Sequence, residues 1–144
     1  MTPLDTAKAL ALAFVILAIE FLFSYVVVEF YAIFIDPGQT DAYYALAAVQ
    51  WLVPWWLHIG GSLIFFFTGW LFTGRVRHRN AYAFIGAMCA WYLLIDFAST
   101  FFYGGFRSFF LSGAWAWMAV QFAAAFVGVF VARRTLPPAE QPTI

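Results

Sequence analysis

A single cysteine, Cys89, rules out an intramolecular disulfide and any zinc or iron–sulfur site built from several thiolates. Cys89 is read as a small packing residue. Histidine is nearly as scarce. His78 falls in a basic stretch, which leaves His58 alone among the apolar segments and excludes a bis-histidine haem held by one chain. No Glu-x-x-His or His-x-x-x-His spacing occurs, so no metal site is assigned. A glycine-rich phosphate cradle is absent. So is a serine nucleophile at a recognisable distance from a base. The residues name no cofactor.

Charge is the next deficit. Only 10% of the 144 residues are charged, against about a quarter in a soluble domain. Seven basic and seven acidic residues cancel, which excludes the bulk polycation expected of a nucleic-acid binder. In place of charge the chain is 65% hydrophobic and 23% aromatic, led by phenylalanine. A water-soluble fold of that composition would expose large apolar patches. The expected class is therefore an all-α integral membrane protein. Residues 1–136 form one transmembrane domain, and 137–144 form a disordered tail after Pro137-Pro138.

A membrane-spanning helix needs about 20 mostly apolar residues. Four stretches qualify, at about Ala9–Ile35, Ala45–Thr73, Ala81–Tyr103 and Ser112–Ala132. The first is far longer than the roughly 7–15 apolar residues of a secretion signal, so it is expected to be retained. Asp36-Pro37-Gly38-Gln39 reads as a turn. Gly74 to Asn80 reads as a tight basic hairpin, and Gly104-Gly105 as the end of the third helix, with Ser112 capping the fourth. Such short connections predict an antiparallel up-down bundle with sequential helices as neighbours.

Basic residues stay on the cytoplasmic side during insertion. Arg75, Arg77 and Arg79 mark the middle hairpin, Arg133 and Arg134 the C-terminal end, and Lys8 the N-terminal end. The first loop has two Asp and no basic residue, and the third has only Arg107. Both termini are expected in the cytoplasm, with the protein in a plasma membrane of the bacterial inner-membrane kind.

Polar groups inside spans are costly and therefore informative. At 1.5 Å per residue, Glu20 and Gln121 each lie about 16 Å from the cytoplasmic end, near the midplane. His58 and Asp96 lie about 22 Å in, and Glu29 about 30 Å in, at the outer edge. Two pairs are thus predicted to meet, Glu20 with Gln121 and His58 with Asp96. Gln50, Pro54, His58 and Ser62 recur every four residues and predict one polar stripe. Pro54 cannot donate to the Gln50 carbonyl, which leaves that oxygen free. Tyr92, Asp96 and Thr100 form a matching stripe on the third helix.

The expectation is an outward-opening polar cleft. Asp96, His58 and Glu20 are its acid/base candidates. Gln50, Trp55, Tyr92, Thr100, Gln121 and Glu29 are its ligand-binding candidates. Burial tunes carboxyl and imidazole groups toward acid/base work, and the aromatic wealth suits a lipid-, isoprenoid- or quinone-like molecule. Two alternatives use the same residues. One is an accessory or assembly subunit of a larger membrane complex, in which the polar pairs only fix helix register. The other is a small proton-coupled transporter working as a homo-oligomer, against which stands the lack of an inverted repeat. The expected partners are membrane lipid and, in the alternatives, further copies or subunits.

Overall fold

A computed structural model describes residues 2–75, 80–111 and 114–135, and these are helical apart from short turns. The basic hairpin at 76–79, Ser112 and the tail lie outside the described residues. Helix α1 (Pro3–Phe30) starts six residues before the expected span. The reason is local. Thr2 Oγ1 accepts from the Asp5 N–H at 3.2 Å, and an Asp5 carboxylate oxygen accepts from the Thr2 N–H at 2.8 Å. This is a capping box, with Pro3 in the first turn where no N–H is needed.

A wider π-helical turn, Tyr31–Ile35, closes α1. Gly38, at φ +88°, then reverses the chain, a conformation that side chains with a Cβ resist. The second rod is interrupted twice. It comprises α2 (Asp41–Ala47), a π turn at Ala48–Leu52, α3 (Val53–Trp56), a second π turn at Leu57–Gly61, and α4 (Ser62–Arg75). The third rod, α5 (Ala81–Leu111), runs straight through Gly104-Gly105. Glycine weakens a helix interior by roughly 1 kcal/mol per residue, and the apolar run on either side is enough to carry the helix past it. The fourth rod is α6 (Ala114–Thr135).

Four helices are long and apolar enough to cross a membrane: Pro3–Ile35, Asp41–Gly74, Ala81–Phe102 and Trp115–Thr135. Their exposure pattern is inverted relative to a soluble protein. On α1, Glu20 is 3% exposed while its neighbour Phe21 is 79% exposed. The buried stripe of α1 is Ala9, Ala13, Ile16 and Glu20, one face of a 3.6-residue repeat.

Side-chain contacts fix the directions. Phe23 stacks on Trp56, and Tyr31 meets Trp51 edge-on, so the second rod runs against α1. Phe72 stacks on Phe84 and Phe65 meets Tyr92, so α5 runs against α4. Tyr82 stacks on Phe126 and carries the Arg133 guanidinium 4.7 Å above its ring, while Tyr92 meets Phe122 edge-on, so α6 runs against α5. The directions alternate along the chain.

Two of the three sequential pairs, α1 with the second rod and α5 with α6, are neighbours, and the second rod and α5 are not. α4 packs chiefly on α6, α1 packs chiefly on α5, and α4 barely touches α5. Around the bundle the order is α1, α5, α6, second rod. A short hairpin fixes direction only. Close packing is decided by surface shape, and here by glycine. A Cβ on Gly69 would lie 2.1 Å from the Ala125 carbonyl oxygen, and one on Gly128 would lie 2.1 Å from that of Phe66. The α4 and α6 backbones therefore touch, as small residues allow between membrane helices.

The turn after α1 is held by tyrosines. The Tyr43 hydroxyl donates to an Asp36 carboxylate oxygen at 2.7 Å, and Tyr31 donates to the same oxygen at 3.3 Å. The Tyr44 hydroxyl donates to the Asp36 carbonyl at 2.8 Å. The hydrogen bond from Tyr43, then those from Gln39 and Tyr31, hold the Asp36 carboxyl below its ordinary value of 3.8. A lowered folded-state value means that this contribution to stability is present above 3.8 and is lost as the pH falls through the folded value. Thermal melting should therefore separate wild type from Asp36→Asn near neutral pH by a small margin. The two curves should converge below about pH 4. A gap that stays constant from pH 7 to 3 would discount the carboxylate.

Candidate functional site

The polar centre is assembled by three rods and one π turn. Glu20 ends the buried stripe of α1. Tyr92 of α5 donates its hydroxyl hydrogen to Glu20 Oε2. Gln121 of α6 donates from Nε2 to Glu20 Oε1 at 3.1 Å, and from the same nitrogen to the Leu57 carbonyl at 3.1 Å. Both amide hydrogens of Gln121 are thus used, and Glu20 receives two donors, which suits an ionised carboxylate. Gly61 makes the space. A Cβ there would lie 2.2 Å from Gln121 Nε2 and 2.6 Å from Glu20 Oε1.

The Glu20–Tyr92 contact can hold its proton in two ways. With Glu20 ionised, Tyr92 donates. With Glu20 protonated, Tyr92 accepts, and its own hydrogen is free to turn elsewhere. Elsewhere is a cleft. Tyr92 and Gln121 line a cavity of about 410 Å³, together with Asp96 and Thr100 on the Tyr92 face of α5. Val53, Pro54 and Leu57 supply an apolar wall from the second rod, and Trp117 and Met118 supply one from α6. Glu20 sits behind Tyr92 and Gln121, and Tyr92 stands one turn before Asp96 on the same face of α5.

Asp96 is the open group. Ser99 donates to its main-chain carbonyl at 2.8 Å. Among the described residues nothing hydrogen-bonds or ion-pairs its carboxyl. Its side chain is partly exposed in the cleft.

Five of the residues singled out from the sequence therefore come together: Glu20, Tyr92, Asp96, Thr100 and Gln121. The expected His58–Asp96 pair does not form. His58 lies against the Trp117 ring and does not line the cleft. Gln50, Trp55 and Glu29 are exposed and face away from it. Trp56 stacks on Phe23, its buried Nε1 without a hydrogen-bond partner.

The π turns explain these corrections. Each lets one extra residue into a helical turn and rotates the next stretch of helix by about 100°. The inward positions of the second rod become Ala48, Leu52, Leu57, Gly61 and Phe65, spaced by four, five, four and four. An unbroken four-residue stripe from Gln50 through His58 cannot survive that. The main-chain oxygen used at the site is accordingly that of Leu57 rather than Gln50. Sequence reasoning missed Leu57, Trp117 and Met118. Trp117 alone left a signal, one turn before Gln121 on the same face.

Among the described residues no three His, Cys, Asp or Glu side chains are grouped as metal ligands would be. No protein-family model, curated protein or solved structure matches the chain.

Proposed function

We propose that the chain is a polytopic membrane protein, its termini on the cytoplasmic side of a plasma membrane. In this proposal its cleft binds a lipophilic small molecule and presents Asp96 to it for acid/base work. Membrane insertion is supported by the four long apolar helices and by the inverted exposure of Glu20 and Phe21. The orientation is supported by the bias of Lys and Arg to three of the helix ends and connections.

The observation that carries the binding role is the contrast within one cavity. Val53, Pro54, Leu57, Trp117 and Met118 give it an apolar wall, and Asp96 with Thr100 gives it a polar end whose carboxyl has no partner in the described protein. An apolar pocket with a few convergent polar groups is the usual form of a small-molecule site. Glu20, already holding two donors, is the reserve group behind Tyr92. His58 leaves the acid/base set.

Organic extraction of the detergent-purified protein, followed by mass spectrometry, tests this. Wild type should release a lipophile in stoichiometric amount. Hydrogen bonds to charged groups contribute about 1.5–3 kcal/mol, so Asp96→Asn should retain roughly tenfold less or lower still. Trp55→Ala and Gln50→Ala, outside the cleft, should retain as much as wild type. Equal recovery from Asp96→Asn, or loss in the two outer variants, would place the site elsewhere.

A further inference from the structure

We infer that the ligand of this cleft is a lipophilic organic cation, its charged end held between the Asp96 carboxylate and the Trp117 and Tyr92 rings. This rests on the cleft being a lipophile site. It goes further by assigning the sign of the ligand's charge.

The donor and acceptor accounts point there. Tyr92 and Gln121 line the cleft but spend their hydrogens on Glu20 and the Leu57 carbonyl. Thr100 is neutral. Among the described residues no Lys, Arg or His lines the cavity. The titratable groups facing Asp96 are Glu20 from α1 and Tyr92 from α5, while His58 lies against the Trp117 ring. Arg133 and Arg134 are occupied over Tyr82 and Phe130, toward the other end of the bundle. Arg107 is eleven residues beyond Asp96 on α5, about 16 Å along the helix.

Among the described residues the polar end thus brings together the Asp96 carboxyl and, behind Tyr92, that of Glu20, with no Lys or Arg beside them. A half-buried carboxylate in an apolar-walled cleft, without a counter-charge, favours either a proton or a cation. An anionic lipophile would meet two like charges. A cation meets a carboxylate and, beside it, aromatic rings whose faces attract positive charge. The apolar wall suits a cation whose charge is shrouded by hydrocarbon, such as a quaternary ammonium or phosphonium, better than a compact hydrated one. A cleft of about 410 Å³ is toward the small end of ligand pockets and has room for a few rings.

Two probes of nearly the same shape separate the options. Methyltriphenylphosphonium carries a permanent positive charge. Triphenylphosphine oxide is neutral, with a strong acceptor in place of the methyl group. Binding is measured by calorimetry in a non-ionic detergent at pH 8, with tryptophan fluorescence as a second readout. The phosphonium should bind at least tenfold tighter than the oxide. Asp96→Asn should abolish the difference while leaving oxide binding unchanged. Trp117→Leu should weaken the phosphonium more than the oxide. The preference should also shrink as the pH is lowered and Asp96 takes up a proton. Equal binding of the two probes, or tighter binding of the oxide, overturns the cation and leaves the lipophile cleft standing. Binding of neither overturns both. Size-exclusion profiles and melting of each variant show that the fold survives the substitution, and Asp96→Glu, which keeps the charge, should restore the preference.

Discussion

Replacing Gly128 or Gly69 by alanine should lower the melting temperature, although alanine is the better helix former. The two effects oppose each other and can be weighed. Glycine to alanine inside a helix gains about 1 kcal/mol of propensity. Against this, a Cβ at either position would fall 2.1 Å from a main-chain carbonyl oxygen of the facing helix. No rotamer relieves such a contact, because neither atom can swing away by side-chain rotation. The helices must move apart, which loosens every other α4–α6 contact. Overpacking costs about 1–3 kcal/mol, and with the propensity gain of about 1 kcal/mol set against it the net loss should be about 1–2 kcal/mol, since main-chain atoms cannot yield. For a chain of this size each kcal/mol shifts melting by about 2–4 °C. Gly86→Ala is the control, since a Cβ there meets only Phe126 Cζ at an ordinary 3.8 Å. It should melt at or slightly above the wild-type temperature. Once one alanine has separated the helices the second meets less resistance, so the double variant should lose less than the sum of the singles. Stabilisation by Gly128→Ala would mean that α4 and α6 do not touch at their backbones.

The long apolar runs made the four rods legible, because span length is a matter of composition and one strong period. Glu20 and Gln121 were also legible. Their depths match by counting residues, and there is no π turn in α1 between Pro3 and Glu20 or in α6 between Gln121 and Thr135. The His58–Asp96 match failed by the same arithmetic. Two extra residues in the second rod, at Ala48–Leu52 and Leu57–Gly61, turn the faces away from where an ideal helix would put them. Nothing in a hydropathy pattern marks a π turn, although Pro54 between the two shows that this stretch cannot keep an unbroken ladder of hydrogen bonds. The spatial order was equally hidden. Hairpin length predicts direction, and the partner of α4 was decided by Gly69 and Gly128: a glycine such as Gly128 in a span signals close helix approach, but which helix it approaches shows only when two backbones are seen together. The capping box at Thr2 and Asp5 was in plain view, and a hydropathy criterion passes over it because both residues are polar.

A double-mutant cycle on Glu20 and Gln121 should show the largest coupling in the protein. Gln121→Leu removes a donor from Glu20 and leaves a buried carboxyl with Tyr92 alone. A hydrogen bond to a charged group contributes about 1.5–3 kcal/mol, so the single variant should melt well below wild type. Glu20→Leu leaves one Gln121 amide hydrogen unpaired while the other keeps the Leu57 carbonyl. It loses about 1–3 kcal/mol of satisfied bonding, offset in part because the cost of burying a carboxylate is gone. Making both changes removes the Gln121 donor and its Glu20 acceptor together and leaves two apolar side chains of similar size, while the Tyr92 hydroxyl and the Leu57 carbonyl, which lose their partners, belong to residues that line the cleft. Such paired replacement is close to neutral, so the double variant should melt above Gln121→Leu despite carrying one more substitution. Additive losses would mean that the two side chains do not meet. The same double variant separates structural from functional work at this centre. If Glu20 only fastens the helices, methyltriphenylphosphonium binding should be unchanged. Because Glu20 holds Tyr92, which lines the cleft one turn before Asp96 on the same face of α5, removing its charge should weaken the cation, by less than Asp96→Asn does, and leave triphenylphosphine oxide untouched.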